Sequence, residues 1–170
     1  DNFTPGKMLH PNKEHVKQRE LRNQVKELEE RIAVCLGGRV AEELVLQDVS
    51  TGASSDIQKA SEIARAMVTK YGMSEKLGAI AYGSESDEIF LGRSMAQART
   101  YSEEVAAQID QEVKDIVDRA HARCRDILTQ HRHQLDITAR YLLDHETMDA
   151  QTFDHVFTQP DDPELAGYQE

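Results

Sequence analysis

The chain has 170 residues, 39% of them hydrophobic, 5% aromatic and 30% charged, a profile that suits one helix-rich domain with a core of Leu, Ile, Val and Ala. Twenty Lys and Arg against 31 Asp and Glu give a formal charge of −11, which argues against a phosphate-backbone binder, so no nucleic-acid partner is expected. No apolar run is long enough to cross a membrane and no GxxxxGK[ST] loop is present, so membrane contact or bound ATP would come only through an anchor or ATPase domain of a longer parent.

Residues 1 to about 15 carry Pro5, Gly6 and Pro11 and read as irregular. From Val16 the pattern turns helical, with Leu21, Val25 and Leu28 leading into Ile32, Ala33 and Leu36. The pair Gly37-Gly38 interrupts before the helix continues. Paired glycines cost about 1 kcal/mol each relative to Ala, so close approach of another backbone is expected there. Glu42 and Glu43 follow one turn later, and beside an apolar stripe they read as a solvated face.

The next stretch, Val49-Ser50-Thr51-Gly52-Ala53-Ser54-Ser55-Asp56-Ile57-Gln58, is a polar turn running into a helix. Ser55 is a good N-cap, and Gln58 three residues on would complete a capping box. Asp56 then falls in the first turn, where the positive helix end keeps a carboxylate ionised and suited to binding a cation. The plainer reading of Asp56 is a helix-start residue. The helix runs to about Lys70 on the stripe Ile57, Ala60, Ile63, Ala64, Met67 and Val68, and Gly72 is a plausible stop.

Two alternating segments, Leu77 to Gly83 and Glu88 to Gly92, predict a small β-hairpin. Thr100 with Glu103 forms a second capping box, opening a long helix through about Gln130. Gln134 to Leu143 repeats the helical pattern with Leu135, Ile137, Leu142 and Leu143. Thr147 then caps a last short helix bearing Phe153, Val156 and Phe157. From Gln159 onward the Pro- and Asp-rich end reads as a disordered tail. The fold class is therefore mainly α: a helical bundle with a small β-hairpin.

Seven histidines invite a search for metal ligands, but no HExxH is present. His145 and Asp149 flank Thr147, which reads as a cap, so they are not expected to share a helical face. His131 and His133 read as surface residues. His10 and His15, five apart, are awkwardly spaced for a zinc pair. His121 and His155 are lone helical histidines. Cys35 and Cys124 lie in apolar helical patterns without CxxC spacing and read as core thiols in a reducing compartment.

Several long stretches, in order and with matching spacings, carry a resemblance. They are Arg31 to Val45 with its Gly-Gly-Arg and Ala-Glu-Glu, Val49 to Ala60, Met67 to Gly78, Phe90 to Arg93, and Tyr101 to Val113. Together they resemble the peptidase domain of FtsH-type proteases over about residues 28–157. Residues 1–27 are an N-terminal segment that departs from the family, and 158–170 are the acidic tail.

The resemblance implies an ATP-dependent zinc metallopeptidase, hexameric and anchored at the cytoplasmic face of a bacterial inner membrane or an equivalent organelle membrane. A AAA+ ATPase domain of the same parent would feed it membrane and soluble protein substrates. It implies zinc as the cofactor, with ATP bound only through that AAA+ domain, and hydrolysis by a zinc-activated water. The family's metal-binding aspartate falls on Asp56. Glu42 falls on an acidic residue near the site, read as a support for a zinc-binding histidine rather than a ligand. The HExxH glutamate has no counterpart in this sequence, so no catalytic residue is assigned and the chain by itself is expected to be inactive. The alternative is a non-catalytic helical assembly module of a degenerate family member.

Overall fold

The computed structural model of the chain describes residues 13–46, 50–82 and 101–168. They are mainly helical, in the order α1 (Lys13–Val45), α2 (Ser54–Thr69), α3 (Glu103–Gln130), α4 (Arg132–His145) and α5 (Ala150–Thr158), followed by a 3-10 turn, Pro163–Tyr168. The chain divides into two compact units: Asp1–Leu36 with Thr51–Ala120, and Gly37–Ser50 with His121–Glu170.

The first unit buries the stripes that periodicity marks out. Ala60, Ala64, Met67 and Val68 of α2 are buried, as are Ile109, Ile116 and Ala120 of α3 and Ile32, Ala33 and Leu36 of α1. Ile57, assigned to the same stripe, is instead 37% exposed. Helix α1 starts at Lys13, three residues before the expected start at Val16, so residues 13–15 are helical rather than irregular. The stretch 13–27 is rich in Lys, Glu, Gln, Arg and Leu, all good helix formers, and contains no Pro or Gly.

Gly72 ends the α2 region as expected. It takes φ +60°, which lets the Met73 amide return to the Met67 carbonyl at 2.9 Å. A Cβ there would stand 3.0 Å from the Ala79 Cα. The expected hairpin is a different matter. Residues 77–82 are turn and coil, and no strand occurs among the described residues. The backbone groups that a strand partner would need are used elsewhere: the Gly78 amide donates to the Ser74 carbonyl and the Tyr82 amide to Thr69. The second arm, Glu88 to Gly92, lies outside the described residues, as does Thr100. Among the described residues, Ser102 accepts the Val105 amide at 3.2 Å at the start of α3.

In the second unit, Ile137 of α4, Val156 of α5 and Leu165 of the 3-10 turn form a small core, with Met148 and Tyr168 packed against it. Residues 159–168 are therefore folded, which corrects the expectation of a disordered tail. Leu165, only 3% exposed, supplies the apolar anchor that the polar composition of the segment hid. Asp149, not Thr147, caps α5 by accepting the Thr152 amide at 2.7 Å. Leu143 is 83% exposed rather than in the core. The glycine pair lies within the unbroken α1, and a Cβ at either position would meet nothing within 4 Å. The expected close backbone approach is absent among the described residues, so packing does not offset the helical cost of the pair.

Candidate functional site

Asp56 stands where the sequence puts it, in the first turn of α2, but the helix is capped two positions earlier than expected, at Ala53 rather than Ser55. The Thr51 carbonyl accepts the Ser54 amide at 3.1 Å, and the Ala53 carbonyl accepts those of Asp56 (3.1 Å) and Ile57 (3.0 Å). Ala53 is buried and occupies the N-cap position, with no side-chain cap. The Ser55–Gln58 capping box does not form. Gln58 reaches forward along the helix to Glu62 at 2.9 Å. Burying the Ala53 methyl fixes the helix start, and Ser55 is left as the second helical residue, exposed.

The Asp56 side chain is 49% exposed, and its Oδ1 lies 3.4 Å from the Lys59 ammonium. Its other carboxylate oxygen makes no hydrogen bond among the described residues. Lys59 also lines an open groove of about 450 Å³ in the same unit, together with Glu27, Arg31, Val34, Cys35 and Ile63. Cys35 is thus half-buried at a groove rather than in the core. Cys124 is buried as expected, and burial pushes its thiol pKa up.

In the second unit, Glu42 clamps Ser50. One carboxylate oxygen accepts the Ser50 hydroxyl at 2.7 Å and the other its amide at 3.2 Å. Glu42 and Asp56 belong to different units, and each carboxylate has its own partner. Glu43 is not a plain solvated residue. It meets Arg39 at 3.0 Å, His121 at 3.0 Å and Arg125 at 4.0 Å. Burial works to raise its pKa, but the hydrogen bonds from Arg39 and His121 outweigh that and hold it below the usual carboxylate value. The i,i+4 spacing of Arg39 and Glu43 signals half of this cluster. The partner 78 positions away leaves no local sign.

The remaining histidines do not converge among the described residues. His145 ends α4, stacks on Tyr141 and faces the Tyr141 carbonyl at 3.1 Å. Asp149 is the α5 cap, and the Thr152 backbone hydrogen bond lowers its carboxyl pKa; no group of metal-ligating side chains includes His145 and Asp149 among the described residues. His131 lies against Phe157, His133 is exposed and His155 faces Asp162 at 3.2 Å. His10 lies outside the described residues.

A catalytic zinc takes three protein ligands and leaves one position open. No group of three His, Cys, Asp or Glu side chains among the described residues could hold a metal. Asp56 is a suitable single donor, but the described residues do not fit a zinc centre as a set.

Comparison with known proteins places the turn in context. The chain matches peptidase family M41 over residues 8–156. It is 52% identical over 132 residues to the ATP-dependent zinc metalloprotease FtsH 2 of Alkaliphilus metalliredigens, covering 78% of this chain and 19% of that protein. It is 52% identical over 134 residues to the ATP-dependent zinc metalloprotease FtsH of Caldicellulosiruptor bescii, covering 79% and 22%. With the FtsH 1 protein of Sphaerobacter thermophilus the figures are 46% over 143 residues, 84% and 22%. The chain spans about a fifth of the length of these relatives.

Proposed function

Because the chain belongs to peptidase family M41, we propose that it is the helical part of the peptidase domain of an ATP-dependent zinc metalloendopeptidase, and that Asp56 is the one zinc ligand it supplies. The observation that carries this reading is the state of Asp56. It is a first-turn carboxylate, half exposed, beside the positive end of a 16-residue helix, with one oxygen uncommitted among the described residues. Glu42 enters as a supporting carboxylate, held in orientation by Ser50.

The remaining ligands and the general base are not in this sequence, which has no HExxH. The chain by itself is accordingly inactive. In the parent, a AAA+ ATPase domain binds ATP and delivers membrane and soluble proteins to the site, in a hexamer anchored at the cytoplasmic face of a membrane. No helix among the described residues is long and apolar enough to provide that anchor.

A second reading, a non-catalytic helical assembly module, is favoured by the apolar side chains that the second unit leaves exposed: Leu143 at 83%, Phe153 at 49% and Phe157 at 42%. Casein hydrolysis by the full-length parent separates the two. On the first reading Asp56→Ala abolishes it while the circular dichroism stays that of the native protein. Unchanged hydrolysis in that variant overturns the ligand assignment and leaves the assembly reading in place.

A further inference from the structure

The end of the described chain is held to the second unit more like a bound peptide than a helix terminus. Leu165 enters a slot floored by Ile137 of α4 and Val156 of α5, both fully buried, with Met148 at its edge. Tyr168 follows three residues on, its ring 5.4 Å from that of Tyr141 and 6.0 Å from that of His145. One hydrogen bond completes the attachment: Arg140 Nη1 donates to the Tyr168 carbonyl at 3.1 Å, while the buried His155 Nε2 lies 3.2 Å from Asp162 Oδ2 without making a hydrogen bond.

Gln159 caps the end of α5, its amide donating to the His155 carbonyl at 2.8 Å, and beyond it the backbone is satisfied locally. The Asp162 amide donates to the Gln159 carbonyl, the Leu165 amide to the Asp162 carbonyl and the Glu164 amide to Asp162 Oδ1. No backbone–backbone hydrogen bond ties residues 161–168 to α4 or α5 among the described residues. The segment carries its own turn and offers two anchors, Leu165 and Tyr168, to a surface made by two helices.

We propose that residues 159–168 are a peptide ligand bound in cis, and that the α4–α5 slot takes the same segment of a second copy when its own is lifted. The anchors that fit in cis fit equally in trans. Tethering gives the chain's own segment an effective concentration on the order of millimolar, so the closed form dominates and exchange shows only once that segment is displaced.

The test uses the full 170-residue chain and, as probe, a fluorescein-labelled peptide of residues 159–170. Leu165→Asp in the chain lifts the resident segment. Anisotropy should show the peptide binding this variant at least about tenfold more tightly than the unsubstituted chain, as removal of a tethered competitor requires. A peptide carrying Leu165→Ala and Tyr168→Ala should lose that binding. Equal binding by both chains, or none to a Leu165→Asp chain with native helical circular dichroism, overturns the proposal. Should Leu165→Asp lose its helix signal, the Asp162→Asn/Tyr168→Ala chain takes its place in the same titration. Loss of helix there too identifies the segment as a fixed part of the fold and equally overturns the proposal.

Discussion

Two carboxylates of the first unit show how differently an acidic side chain can be used. Glu112 of α3 is saturated. It accepts the hydroxyl of the buried Ser74 at 2.8 Å and pairs with Lys76 at 3.0 Å, and its side chain is only 15% exposed. The Ser74 hydroxyl also accepts the Leu77 amide at 3.2 Å, so Glu112 organises the whole turn after α2. Asp56 has one cation at 3.4 Å and half its side chain in water. The Glu112 carboxylate has its oxygens engaged by the turn, whereas Asp56 retains an exposed oxygen, which suits the ligand role proposed for it.

That contrast can be broken by substitution. Removing Glu112 should cost most. Glu112→Ala leaves Ser74 buried without its acceptor and Lys76 without its pair, a loss of about 2 kcal/mol measured by urea unfolding. Gly72→Ala, in the same turn, should cost about 1–2 kcal/mol, because φ +60° disfavours a side chain and the new Cβ meets the Ala79 Cα at 3.0 Å. Asp56→Ala should cost less than about 1 kcal/mol, since all it loses is an exposed i,i+3 pair. A stability loss for Asp56→Ala as large as that for Glu112→Ala would erase the distinction.

Acid sharpens it. Hydrogen bonds from Lys76 and Ser74, working against burial, lower the Glu112 pKa below its ordinary 4.5. A carboxyl whose folded pKa is depressed contributes stability that is present above the unfolded value and lost as pH falls through the folded one. Stability of the chain should therefore decline below about pH 4.5. Glu112→Gln should flatten that decline, measured as unfolding midpoints from pH 6 to about pH 3. Glu43, lowered by Arg39 and His121 against burial, adds to the decline with the same sign.

What was legible in the sequence was what local spacing determines. The α2 stripe of Ala60, Ala64, Met67 and Val68, the stop at Gly72 and the placement of Asp56 all follow from residues within a turn or two of one another. Caps are off by two positions because several candidate cap residues stand side by side. Buried Ala53 fixed one helix start, and Asp149 outcompeted Thr147 at another. The hairpin failed because Tyr82 pairs with Thr69, a partner that alternation cannot announce. Ser74 with Glu112, Glu43 with His121 and Leu165 with Ile137 are all distant in sequence, and no local pattern signals them.

Under the function proposed above, Asp56 holds a metal whereas Glu112 holds the fold. Zinc content per subunit of the purified full-length parent tests that division most directly, compared among the unsubstituted protein, Asp56→Ala and Glu112→Gln. Zinc should be lost in Asp56→Ala alone, with its unfolding midpoint nearly unchanged, and retained in a destabilised Glu112→Gln. Full zinc occupancy in a folded Asp56→Ala parent would contradict it.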